Sequence, residues 1–128
     1  MAQINAVREL RVYQSAFEFA MEIFDLSKTF PNAERYSLTD QIRRSSRSVC
    51  ANLGEAWRKR RYPAHFQSKL SDAQSEAEET RVWRQFASRC GYMERKRAIE
   101  LDREYDAIIG QLVTMSQDLK HWIISPAK

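Results

Sequence analysis

From Leu101 onward, apolar residues recur at Tyr105, Ile108, Leu112, Met115, Leu119 and Trp122, in alternating steps of four and three. That alternation places all seven on one face of an α-helix, the seam of a heptad repeat. A helix over about 94–123 with so continuous a seam is stable only against other helices that bury it. The chain supplies three. Residues 63–90 carry Phe66, Leu70, Ala73, Ala77, Thr80, Trp83 and Ala87 at helical spacing. Residues 38–61 carry Leu38, Ile42, Ser45, Val49, Asn52 and Ala56, flanked by Leu53 and Trp57. Residues 8–29 carry two adjacent seams, Leu10, Tyr13, Phe17, Ala20 and Phe24 beside Val12, Ala16, Phe19, Ile23, Leu26 and Phe30.

The breaks between these segments are short and have recognisable chemistry. Pro31 ends the first helix, because proline lacks the backbone donor a helix interior needs. Ser37 followed by Asp40 reads as an N-cap and a variant of the capping box. Pro63 suits a first helical position, and Gly91 suits a C-terminal stop. With only three Gly and three Pro in 128 residues, little else interrupts helical structure. No segment alternates polar and apolar residues long enough for a strand. Residues 1–128 are therefore predicted to form a single all-α domain, an antiparallel, up-down-up-down four-helix bundle.

Several functions are disfavoured. "MAQINAVREL" has no basic region followed by an apolar run, and no stretch approaches the roughly 20 apolar residues of a membrane span. Cys50 and Cys90 lack the spacing of a disulfide framework or zinc site, which fits a reducing cytoplasm. Glycine-rich phosphate loops, nucleophile elbows and His-Glu zinc motifs are missing. His65 and His121 do not form the Glu-x-x-His pairs of a bundle di-metal site. A non-enzymatic protein without metal or cofactor is expected. Trp57, Trp83 and Trp122 read as core anchors.

The net charge of +4 is concentrated in one place. Arg43, Arg44, Arg47, Arg58, Lys59, Arg60 and Arg61 face only Glu55 within residues 43–61, a local net of +6 against −2 for all the rest. On a helical wheel Arg44, Arg47, Arg58 and Arg61 share a stripe nearly opposite the seam, with the small residues Ala51 and Gly54 between the two pairs. From Arg44 to Arg58 the helix would rise about 21 Å, a length that spans several phosphates. Two uses fit. The basic residues Arg44, Arg47, Arg58, Lys59, Arg60 and Arg61 would hold RNA or DNA non-specifically, or the arginines would pair with carboxylates of neighbouring helices or subunits while the small residues admit another helix. A second polar group, Arg43, Asn52, Glu55 and Glu79, is expected to face inward, with Asn52, Glu79 and Arg43 hydrogen-bonded to one another. The double seam of the first helix is wider than one bundle interior requires, which predicts a homo-oligomer.

"FPNAERYSLTDQIRRSSRSVCANLGEAW" resembles the bacterial four-helix-bundle proteins known as ribosomal-RNA intervening-sequence proteins, so called because some are encoded within insertions in large-subunit ribosomal RNA genes. The shared features are Phe30-Pro31, Glu34, Tyr36, Leu38, Gln41, Arg43-Arg44, Ala51-Asn52 and Glu55. Phe66, Ala73, Glu79-Thr80, Trp83, Ala87 and Gly91-Tyr92 continue the likeness, which covers nearly the whole chain. Departures fall at Ser75-Glu76, where the family has Gly-Ser, and at Ala56, where it has Gly. The resemblance implies a left-handed bundle assembling into a ring, commonly a homopentamer. More distantly the chain is similar to accessory proteins of diversity-generating retroelements, which implies nucleic acid and a reverse transcriptase as possible partners.

Overall fold

The structure is a computed structural model that describes residues 3–124, and every regular element among them is helical. Four long helices, α1 (Arg11–Ser27), α2 (Asp40–Arg58), α3 (Pro63–Arg89) and α4 (Arg95–Gln117), are followed by a one-turn α5 (Leu119–Trp122). Each long helix packs on the next, and α1 also meets α4, which closes the bundle and leaves α1 and α3 at diagonal corners. The connections 59–62 and 90–94 are too short for anything but antiparallel neighbours. The heptad seams meet in one core. Ile42, Val49, Phe66, Leu70, Ala73, Ala77, Ala98 and Leu112 are sealed from solvent, and the inward alanines of α3 let α2 and α4 approach closely.

The ends of the helices differ in detail from the sequence expectation. α1 begins at Arg11, because Val7–Glu9 form a separate 3-10 turn and Leu10 is extended. Ser37 is not an N-cap: residues Arg35–Thr39 form a wider π-helical turn running directly into α2, and the Ser37 hydroxyl donates to Glu34 Oε1 at 2.6 Å instead. With helical dihedrals already established upstream, α2 has no bare first turn for a side chain to cap. Asp118 interrupts the fourth helix, with φ −116° and ψ 59°, and Leu119 and Trp122 reach the core edge from α5. Pro63 does sit at the start of α3. Gly91, at φ +79°, closes α3 in a Schellman motif in which Tyr92 N donates to Ala87 O at 2.9 Å and Gly91 N to Ser88 O at 3.0 Å.

The first helix uses only part of its apolar arc. Leu10, Val12, Ala16, Ala20 and Ile23 are buried, whereas Phe17 and Met21 remain 47% and 46% exposed.

Candidate nucleic-acid interface

Periodicity explains why α2 divides its faces so sharply. Ile42, Ser45, Ser46, Val49, Leu53, Ala56 and Trp57 are buried, and the residues between them point outward by helical geometry. Arg44, Arg47 and Arg58 are exposed, as are Lys59 and Arg61 just beyond the helix. On this outer face Arg43, Arg44 and Arg47, with Asp40, Ser48 and Ala51, surround an open groove of about 490 Å³.

The basic side chains around this groove are arranged by an aromatic ring on the neighbouring helix. The guanidinium carbons of Arg43 and Arg47 lie 4.8 and 5.6 Å from the centre of the Phe24 ring, and Lys28 Nζ lies 4.8 Å from it. Arg43 Nε also donates to Ser27 Oγ at 2.7 Å. The attraction of cations to the ring quadrupole thus gathers three positive groups at the α1–α2 edge. Among the described residues Asp25, paired with Lys28 at 3.2 Å, is the one carboxylate within 4 Å of any of the three.

Three arginines of α3 and α4 are neutralised. Arg81 binds Asp102 (2.9 Å), Glu78 (3.1 Å) and Asp106 (3.4 Å), Arg84 binds Asp102 (3.1 Å), and Arg97 binds Glu22 and Glu100. The Arg81 hydrogen bond, followed by the charge of Arg84, holds the Asp102 carboxyl below its ordinary range despite partial burial. None of Arg43, Arg44, Arg47, Arg58, Lys59, Arg60 and Arg61 has a carboxylate within 4 Å among the described residues. Arg8, Arg11, Arg35, Arg89, Arg95 and Arg103 have none either, but they are scattered, whereas these seven fall within residues 43–61. Unneutralised charge with a local excess is what attracts a polyanion.

The helical-wheel stripe ends earlier than the sequence suggested. Pro63 keeps Tyr62 extended, at φ −124° and ψ 90°, and α2 stops at Arg58. Arg61 therefore lies in the turn and not on the helical stripe. Arg60 has a structural role: it is half-buried, its guanidinium stacks 3.5 Å from the centre of the Trp57 ring, and its Nε donates to the Trp57 carbonyl at 2.9 Å. Burial, and secondarily Arg58, lower its pKa.

The inward polar network does not form. Arg43 turns to Ser27 and Phe24, and Asn52 Nδ2 donates to its own helix at Ser48 O, 2.9 Å. Glu79 Oε1 accepts from Trp83 Nε1 at 3.2 Å, and Glu55 pairs with Lys69 at 3.3 Å. Each finds a nearer partner than the others because the inner seam passes through Leu53, which leaves Asn52 at the edge. The buried polar contact between α2 and α3 is Thr80 Oγ1 donating to Ser45 Oγ at 2.8 Å. Both residues stood on the seams, and their polarity was the signal that could have identified them.

A concave region between α3 and α4 is also charged, but there Arg81 and Arg84 are balanced by Glu78 and Asp102. A larger apolar cleft of about 680 Å³ runs between the N-terminal segment and α4, lined by Ile4, Leu10, Val12, Met115 and Trp122 with Arg11 as its one charged residue. Among the described residues no group of three or more His, Cys, Asp or Glu side chains is placed to hold a metal ion, and no helix is long and apolar enough to cross a membrane.

Comparison with known proteins agrees on fold and family. The sequence model described as "23S rRNA-intervening sequence protein" matches residues 8–114. A solved protein of unknown function from the S23 ribosomal protein family of Bacteroides thetaiotaomicron VPI-5482 superposes with a TM-score of 0.74 at 30% identity. The match covers 83% of this chain and 95% of that one. No curated protein matches the sequence significantly.

Proposed function

Because this chain belongs to the 23S rRNA-intervening sequence protein family, we propose that it is a non-catalytic, oligomeric helical bundle of the cytoplasm that binds RNA or DNA by its phosphates. The observation that carries this reading is the groove of Arg43, Arg44 and Arg47, whose guanidinium groups have no carboxylate within 4 Å among the described residues. Contacts of this kind position a backbone and carry little sequence information. Binding through them is weakly sequence-specific and steeply salt-dependent.

Two exposed apolar patches support assembly. Phe17 and Met21 stand on α1, while Val82 and Phe86 on α3 and Ile99 on α4 are between 40% and 55% exposed. As α1 and α3 occupy diagonal corners, the patches lie on different sides of the molecule. Head-to-tail contact between unlike patches closes a ring when the rotation permits. Repetition of the groove around a ring would add weak phosphate contacts through effective concentration.

One observation favours a second reading, in which the arginines join subunits. A Cβ at Gly54 would meet no atom within 4 Å among the described residues, and neighbouring Ala51 is exposed, which leaves room for a foreign helix on the stripe.

A salt titration of RNA and duplex DNA binding by fluorescence anisotropy, with light scattering on the same samples, separates the two. Wild type beside Arg44→Glu/Arg47→Glu should show weaker binding by the variant. Its salt slope should also be shallower by about 1.4, two contacts at about 0.7 each on a single strand, with assembly unchanged. Absence of binding by wild type at about 50 mM salt would refute the phosphate reading. A variant that binds normally but dissociates into monomers would assign the arginines to the subunit interface.

A further inference from the structure

The turn between α2 and α3 differs from the arginine groove in presenting aromatic rings. Tyr62 is 55% exposed, and its ring lies 6.0 Å from that of the exposed His65 and 5.9 Å from Lys59 Nζ. Arg58, Lys59 and Arg61, within four residues of it in the chain, are all exposed and without a carboxylate within 4 Å among the described residues. Phe24, which holds two of the groove's arginines, is half-buried and already engaged by Lys28, Arg43 and Arg47. A base could stack there only by displacing those cations.

The turn is also held firmly. Lys59 N donates to Ala56 O, Tyr62 N to Lys59 O and Phe66 N to Tyr62 O, each at 2.9 Å. From the far end of the chain Ile124 N donates to Arg60 O at 3.0 Å, while the Arg60 guanidinium is packed on Trp57. With Pro63 restricting its backbone, Tyr62 has only its side-chain torsions left to order on binding. Preorganisation of this kind lowers the entropic cost of capturing a ligand. One cation, Lys59 Nζ at 5.9 Å, lies over the Tyr62 ring, against three on Phe24.

We propose that Tyr62 is a stacking platform for one unpaired nucleobase, with the adjoining phosphates held by Arg58, Lys59 and Arg61, so that the protein prefers single strands to duplex. The proposal rests on the phosphate-binding reading above and adds to it a site that senses bases. Aromatic rings flanked by basic groups hold single strands without regard to sequence, because every base has a π-face. A base inside a duplex is already stacked and does not offer that face. From Arg47 to Arg58 the helix rises about 16 Å, close to the span of about five stacked nucleotides. One strand can therefore lie along the groove and place a base on the turn.

The test compares short oligo-U and oligo-dT with an abasic strand of the same length and with the matching duplex, all by anisotropy at fixed salt. Wild type should bind both intact strands roughly 5- to 150-fold more tightly than the abasic strand, the worth of one base stacked on an aromatic ring. Tyr62→Ala should close that gap and Tyr62→Phe should keep it, with helicity by circular dichroism and the salt slope unchanged in both. Equal affinity of wild type for intact and abasic strands would overturn the platform while leaving phosphate binding in place. A gap that survives in Tyr62→Ala would overturn it too. Failure of wild type to bind any of the four probes would remove the phosphate reading and the platform together. The wild-type comparison with the abasic strand decides the matter even if a variant misfolds.

Discussion

Removing the buried hydroxyls of Ser45 and Thr80 should reveal a coupling between α2 and α3. Both side chains are almost fully enclosed, at 1% and 0% exposure, and Thr80 Oγ1 donates to Ser45 Oγ at 2.8 Å. Ser45 Oγ has Ile42 O as its own acceptor at 3.3 Å, and Thr80 has Glu76 O available at 2.9 Å. Deleting either hydroxyl therefore removes one hydrogen bond without stranding the survivor. Thr80→Val and Ser45→Ala should each destabilise the protein by about 1 kcal/mol, the net value of a typical intramolecular bond. The double variant should lose about 1 kcal/mol rather than about 2, because the second deletion finds the bond between the helices already gone, and the survivor's bond back to its own helix, whose carbonyl already serves a backbone N–H, stabilises little. For a chain of this size about 1 kcal/mol moves the melting temperature by roughly 3–6 °C. Urea and thermal unfolding of all four proteins, followed by far-UV circular dichroism at one protein concentration, gives the coupling directly. Fixed concentration matters because assembly would make stability concentration-dependent. Strictly additive losses, or a more stable Thr80→Val, would refute the pairing.

Two further outcomes follow from local geometry. Asp102 has its carboxyl pKa depressed below the ordinary 3.8, so its contribution to stability should be whole above that value and lost as pH falls through the lower folded-state value. Asp102→Asn should accordingly flatten the acid limb of melting temperature against pH, and an unchanged limb would show that Arg81 and Arg84 do not act through it. Gly91→Ala should lower stability by about 1–2 kcal/mol from its left-handed φ of +79°, with no steric contribution because a Cβ there meets nothing within 4 Å. Gly54→Ala should raise stability by about 0.5–1 kcal/mol in thermal melts, as expected inside an open helix, and a loss instead would mean that another surface packs on α2.

The candidate site was legible where it depends on helical phase and obscure where it depends on long side chains. Arg44, Arg47 and Arg58 point outward because Ile42, Val49 and Leu53 must point inward, and that relation follows from the spacing of neighbouring residues alone. Arg43, which the sequence pattern turns inward, belongs to the basic edge. Its partners Ser27 and Phe24 lie on another helix, and no local pattern announces them. Arg60 reads from the sequence as a free charge but is folded onto Trp57. Both are flexible guanidinium groups whose position is chosen by whichever ring and acceptor oxygen surround them in space.

By itself the sequence determined the helical bundle, its single core and the basic outer face of α2, because heptad spacing is a local consequence of 3.6 residues per turn. It also marked the stop at Gly91 and the start at Pro63, where one residue's backbone preference settles the matter. Tertiary structure alone decided which arginines are neutralised. Arg81 and Arg84 meet Asp102 across the α3–α4 interface, whereas Arg43 and Arg47 of α2 meet the ring of Phe24 and no carboxylate within 4 Å among the described residues. Whether a charge finds an opposite charge depends on distances between helices far apart in sequence, and those distances exist only once the bundle has closed.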